Sequence, residues 1–443
     1  MAQTKGTSAF DRVLWVVVSI GLLGLTADFI ARGLARSFTK PGEEPRGTDF
    51  DHFYWAAQAM VQGKPLHSSG MGEYIYPPLV AWLVSPLTHL TLAGAMRVWL
   101  VSNLLVTGLA LWVLCKEMAR RLEIRADPLL FATVSLLTLV ANADQIRWEF
   151  ELAQCDTLVL LGFALGLRWL DRRPWLAGAA LGLAFNVKYQ SLLALPYLLA
   201  RRRFVAAGSM VLFSLMFLFL PATTYGLGPT TKSVQVAFSG MLRHVGLGPS
   251  PEDDAAAHVY PATYDRSVSI TSVAARLTDG VNHPERMEAV TAAAAIVLLG
   301  IGAAIYYKRG VPLVWGRSAR SDAEPPSMGV VAIEWAGLIV VALAFSPHTL
   351  SRHTYLIMPA HVVTFLILCR PKAGVNPWPL IVGVVMFTLG VMLPPGGLMS
   401  GKALDGWRNV GGMTWCMLAF YFTLVYTGLG YVQARGNVGA RAG

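Results

Sequence analysis

The sequence predicts an all-α, polytopic integral membrane protein, and three observations carry the prediction. Of 443 residues, 54% are hydrophobic and only 14% charged, with a mean hydropathy of +0.50, which leaves too little polar surface to cover a soluble globule of this size. Apolar runs approaching the roughly 20 residues that a spanning helix requires recur along the whole chain. Arg and Lys gather in short clusters between those runs, as membrane anchors do, so the net charge of +10 does not point to nucleic acid. The lipid bilayer is the first partner.

In chain order, spans are expected near 13–33, 94–117, 128–143, 155–170, 174–188, 190–200, 204–224, 289–307, 329–346, 353–369, 377–394 and 410–432, a bundle of about 10–12 transmembrane helices. The first run is too long for the core of a cleavable signal and is read as a retained anchor. Residues 174–200 form either one long helix or a broken hairpin around Asn186 and Lys188. The basic clusters KEMARRLEIR (116–125), RWLDRRP (168–174), RRR (201–203), KRG with RSAR (308–320), RPK (370–372) and the tail QARGNVGARAG fall on one side if both termini are cytoplasmic. That layout requires 174–200 to cross and return, which favours the hairpin.

The opposite, extracytoplasmic side then receives loops at 34–93, 144–155, 225–288, 347–352 and 395–409. In 34–93, DHFYWAAQAMVQG reads as a short amphipathic helix at the interface, and YIYPPLVAWLVSPL, interrupted by Pro77, Pro78 and Pro86, as a piece too broken to cross. The 225–288 loop carries an acidic PSPEDDAAAH stretch that reads as partly mobile. With no internal repeat or low-complexity tract, residues 1–443 form one polytopic domain. Cys115, Cys155, Cys369 and Cys416 are scattered without CxxC spacing and read as buried thiols.

Several constellations carry chemistry. GTDFDHFYWAAQAM (47–60) puts Asp49 and Asp51 one residue apart, either solvated at a helix end or placed for work. D-x-D also occurs in chelating pairs, but if 49–60 is helical the two carboxylates point in different directions and only one faces a given pocket. Asp144, Arg147 and Glu151 follow helical spacing and either line a polar groove or form an ion-paired interfacial turn. Lys188 sits in an apolar context where an anionic ligand would offset its desolvation, snorkelling being the alternative. SPHTLSRHTY (346–355) gathers His348, Arg352 and His353, donors suited to phosphate. Tyr74 and Tyr76, ahead of two prolines, belong to an interfacial belt or to the wall of a substrate groove.

These pieces, in this order, resemble the family 87 polytopic glycosyltransferases of the GT-C class. The matching features are D-F-x-x-F-Y-x-A-A ending in G-x-P-L, then Y-x-Y-P-P-L, an intramembrane Lys after AG-x-x-LG-L-A, and a late Ser-Pro…His turn. Leu350 stands where the family commonly has Trp, and Arg352-His353 where it has a His pair. The resemblance implies a GT-C-type bundle in a bacterial plasma membrane with its active site facing the extracytoplasmic side. It further implies transfer of a hexose, mannose foremost, from a polyprenyl-phosphate sugar donor to a glycolipid or glycan acceptor. Asp49 matches the family's general base, with Asp51 as a second acid. Because the leaving group is already a phosphate, the chemistry asks for a base and nearby cations rather than a strong general acid. An inverting reaction is therefore expected, without a metal or other cofactor, with Lys188, Arg352, His353 and His348 on the phosphate. The rival readings are a lipid or sugar transporter and a metal-dependent transferase that uses both Asp49 and Asp51.

Overall fold

The computed structural model describes residues 9–37, 48–66, 74–125, 127–244, 262–312, 327–346, 349–392 and 399–434. His348, the PSPEDDAAAH stretch, RSAR and most of the basic tail lie outside the described residues. Among the described residues the chain is helical, with a single antiparallel bridge between Ser267 and Leu350. The helices are α1 (Ala9–Ser37), α2 (Asp49–Val61), α3 (Pro78–Val84), α4 (Leu92–Arg121), α5 (Pro128–Ala141), α6 (Ala143–Glu151), α7 (Asp156–Trp169), α8 (Pro174–Val187), α9 (Ala194–Ala200) and α10 (Phe204–Phe219). They continue as α11 (Ala222–Tyr225), α12 (Leu227–His244), α13 (Ile270–Thr278), α14 (Pro284–Lys308), α15 (Met328–Phe345), α16 (Met358–Cys369), α17 (Trp378–Phe387), α18 (Gly401–Asn409) and α19 (Gly412–Gln433).

Among the described residues, seven helical segments are each long and apolar enough to cross a bilayer: Phe10–Ser37, Leu92–Arg121, Phe204–Tyr225, Pro284–Lys308, Met328–Phe345, Ser351–Cys369 and Gly412–Gln433. Helices α5 and α6 pass the same test together but bend by 72° at Asn142, which brings the number to eight if they form one span. The segments expected at 174–188 and 377–394 are present as shorter apolar helical segments, α8 and the stretch that opens with α17, and the segment expected at 155–170 as the 14-residue α7. A helix of 14 residues, the length of α7 and of α8, rises about 21 Å and falls short of a ~30 Å hydrocarbon core. Both helices stop at a charge: α7 begins at Asp156 and α8 ends against Lys188.

The AG-x-x-LG-L-A run packs helices closely. A Cβ on Gly182 of α8 would lie 2.8 Å from the Ser214 nitrogen of α10, and one on Gly178 would overlap the Ala206 carbonyl, so this G-x-x-x-G pair lets two backbones meet. The 174–200 segment is broken, as the hairpin reading expects. Lys188 is extended, at φ −149° and ψ 139°, and a 3-10 turn, Tyr189–Leu193, precedes α9. Just before the break, Asn186 donates to the carbonyls of Gly182 and Ser214, both at 2.9 Å, and so answers backbone groups that an apolar medium would leave costly.

Basic clusters from separate loops are tied together by ion pairs. Arg121 and Arg203 reach Asp171 at 2.6 and 2.8 Å, and Arg370 reaches Asp127 at 2.9 Å. Arg201 Nε donates to Glu334 at 2.9 Å.

Candidate active site

Helix α2 starts at the D-x-D pair and separates the two acids. Asp51 is 1% exposed and turns back on the preceding residue, accepting from the Thr48 hydroxyl at 2.5 Å and its backbone N–H at 3.3 Å. That reciprocal bonding at a helix start gives Asp51 a capping role. Asp49 faces elsewhere. Its backbone N–H donates to the Leu152 carbonyl at 3.0 Å, and its Oδ2 accepts from Gln154 Nε2 and, at 3.2 Å, from Arg352 Nη2. Among the described residues its Oδ1 takes no hydrogen bond. The pair therefore does not present a joint two-carboxylate claw, and no group of three or more His, Cys, Asp or Glu side chains among the described residues is arranged to hold a metal ion.

Lys188, 7% exposed, meets Asp156 Oδ1 at 2.5 Å, donates to Gln154 Oε1 at 3.1 Å and stands 6.0 Å from the centroid of the Tyr76 ring. Asp156 is fully buried at the first turn of α7, where the helix dipole also favours a negative charge. Glu149, on α6, is 2% exposed, and its Oε1 has no hydrogen-bond partner among the described residues. Arg352 and His353 lie on the 3-10 turn Ser351–Ile357 that leads into α16. The Arg352 side chain is about one quarter exposed, whereas His353 is buried and its Nδ1 has no hydrogen-bond partner among the described residues. Beside that turn, Val268 N–H donates to Thr349 O at 2.6 Å, so part of the 225–288 segment packs along the cationic turn.

The two tyrosines divide their roles. Tyr74 is buried, its hydroxyl donating to Pro77 O at 2.6 Å and accepting from Ala81 N–H at 3.1 Å, which braces the Pro-Pro start of α3. Tyr76 packs edge-on against Phe53 at 5.1 Å and looks toward Lys188. Burial raises both phenols above their ordinary range, so both stay neutral near pH 7.

Asp144, Arg147 and Glu151 are not brought to this cluster. Arg147 donates to Asp28 of α1 at 2.8 Å, Arg32 bridges Asp28 at 3.0 Å and Glu151 at 3.4 Å, and Arg36 lies 3.9 Å from Glu151. The structure thus places Arg147 and Glu151 in an ion-paired seam between α1 and α6, with Asp144 on the first turn of the same short helix. The opposite face of α6, with Gln145, Ile146, Glu149 and Phe150, is the buried one. Sequence reasoning missed Glu149, Gln154 and Asp156. An acid opening an apolar run, as Asp156 does, was the available signal, because at that position it needs a cation.

One carboxylate with an open oxygen, a guanidinium beside it, and a buried ammonium at the broken end of a short helix define a polytopic membrane protein with a built polar site. The sequence profile of Glycosyltransferase family 87 matches residues 74–319, more than half of the chain, and the protein belongs to that family. The chain is 24% identical over 440 residues to a polyprenol-phosphate-mannose-dependent alpha-(1-2)-phosphatidylinositol mannoside mannosyltransferase of Mycobacterium tuberculosis, covering 94% of this chain and 92% of that one. It is 25% identical over 350 residues to the protein of the same description from Mycolicibacterium smegmatis, covering 75% and 72%. No solved structure matches it. The protein is a multi-pass membrane glycosyltransferase. The family match contains Tyr74, Tyr76, Glu149, Gln154, Asp156 and Lys188, while Asp49, Arg352 and His353 lie outside it in sequence and join it through the fold.

Proposed function

We propose that the protein transfers mannose from a polyprenyl-phosphate donor to a hydroxyl of a lipid-linked or glycan acceptor, at the extracytoplasmic face of a bacterial plasma membrane, with inversion and with Asp49 as general base. The observation that carries the reading is the convergence of Asp49 with Arg352, 303 residues further along the chain, at 3.2 Å. The names of both mycobacterial relatives support the donor and the sugar. In the reaction, the acceptor O–H proton passes to Asp49 Oδ1 and the oxygen attacks the anomeric carbon. The bond from that carbon to the phosphate oxygen breaks, and its electron pair leaves with polyprenyl phosphate. A single displacement inverts the centre.

The phosphodiester carries one negative charge and the departing monoester gains a second, so cations count most in the transition state. Arg352 offers a planar fork, and His353 adds an unspent ring nitrogen beside it. Lys188 is held on two sides by Asp156 and Gln154, which leaves its third N–H for the phosphate. On this reading the donor charge is met by side chains, and a divalent metal is not required.

Purified protein incubated with radiolabelled polyprenyl-phosphate hexoses, a crude lipid extract and excess EDTA tests the proposal. Label from the mannosyl donor alone should move to a new lipid or glycan with the chelator present. Loss of transfer on chelation, restored by added Mg²⁺ or Mn²⁺, would give the reaction to a metal. Transfer only from a nucleotide-sugar donor would overturn the donor class.

A further inference from the structure

Gln154 spans the two charged halves of the site. It is fully buried in the turn between α6 and α7, with Nε2 donating to Asp49 Oδ2 and Oε1 accepting from Lys188 Nζ at 3.1 Å. A side-chain amide has unlike ends. Turned over, it would set oxygen against the carboxylate and nitrogen against the ammonium, two repulsions in place of two charge-assisted bonds. The chemistry of its neighbours therefore fixes its orientation.

Its backbone is equally constrained. The Gln154 carbonyl accepts from Trp99 Nε1 at 3.2 Å and from Asn103 Nδ2 at 2.7 Å, and Asn103 Oδ1 in turn accepts from the Thr157 hydroxyl at 2.9 Å. The Gln154 N–H donates to the Glu149 carbonyl at 3.0 Å, and the preceding Ala153 adopts φ +48°, a left-handed conformation that a residue with a side chain holds only when its surroundings insist. Helices α4, α6 and α7 all contribute to aiming this one amide.

We propose that Gln154 is a positioning residue for sugar transfer: it grips Asp49 through Oδ2, leaving Oδ1 for the acceptor hydroxyl, and couples the base to Lys188. The inference rests on the reading of Asp49 as the base. Among the described residues of this cluster, Arg352 and Lys188 are positive and Asp156 and Glu149 acidic, and Tyr76, His353 and Cys155 are further titratable groups.

Gln154→Glu is nearly isosteric and replaces the donor on Asp49 with a second carboxylate. Lys188 favours ionisation of the introduced group, so the proton shared by the two carboxylates falls to Asp49. The acid limb of the kcat/KM profile should then rise by about one pH unit or more. Gln154→Met suits the buried site and removes both bonds without adding charge; kcat should fall ~10²-fold with the donor KM within about twofold, as expected for a base held slightly out of line. A wild-type pH profile in folded Gln154→Glu protein, or a wild-type kcat in folded Gln154→Met protein, overturns the proposal. The parent reading is checked separately. Full turnover in Asp49→Asn removes the base itself, whereas an inactive Asp49→Asn protein beside an unshifted Gln154→Glu profile removes only the positioning role.

Discussion

Lys188 and Asp156 form a buried ion pair whose worth depends on which partner is removed. With side chains only 8% and 0% exposed, either charge left alone would be stranded away from water. Breaking such a pair from one side costs about 3–5 kcal/mol. Asp156→Asn and Lys188→Met should each lower the detergent melting temperature markedly, while the double variant recovers much of that loss without recovering activity; equal melting of all three proteins would contradict the pairing. Asp51→Ala strips the acceptor from two buried donors of Thr48, and stability should drop by about 1–3 kcal/mol in chemical denaturation. The D-x-D spacing together with a helical reading was enough to say that only one acid faces the pocket. Asp144, Arg147 and Glu151 drew attention because charges on one face are easy to see in a sequence. The α1 partners of Arg147 and Glu151, namely Asp28, Arg32 and Arg36, all lie more than a hundred residues away, beyond the reach of local spacing. Gln154, an uncharged residue in an ordinary turn, carries no sequence signal of its role.

At the scale of elements, the site exists because helices stop early. Helix α8 ends at Val187, and the extended Lys188 swings its ammonium onto the N-terminus of α7, where Asp156 waits. That placement depends on α8 lying hard against α10 through Gly178 and Gly182. Gly182→Val would force the helices apart, and thermal unfolding should fall by several degrees, with kcat falling in parallel as Lys188 moves; an unchanged melting temperature would show that the interface yields easily. The break within 174–200 was legible from Asn186 and Lys188 in an apolar run. The end of α5 was legible too, since the apolar run was read as closing at 143, but the 72° bend into α6 was not, because no proline or glycine marks Asn142. The side chain of Asn142 instead donates to Thr138 O at 2.7 Å and pairs with His361 Nδ1 of α16 at 3.1 Å, a contact made only in the assembled bundle.

For the whole molecule, composition and the recurrence of apolar runs were sufficient for an all-α membrane bundle, and the order of short motifs was sufficient for the family. Number of crossings was harder, since several spans are short, bent or broken where the site is built. Our proposed orientation can be read by labelling. In a background lacking the native cysteines, a cysteine replacing exposed Lys64, after α2, should react with a membrane-impermeant maleimide in intact cells, and one replacing exposed Arg172 only after permeabilisation. The reverse pattern would invert the topology. Chemistry is tested most directly by single-turnover transfer from polyprenyl-phosphate mannose, comparing Asp49→Asn with Asp51→Asn in folded protein. A loss of ~10²–10⁴-fold for Asp49→Asn and a much smaller one for Asp51→Asn is the expected result. Turnover near that of the unaltered protein in Asp49→Asn, or a greater loss in Asp51→Asn, would contradict the assignment of the base.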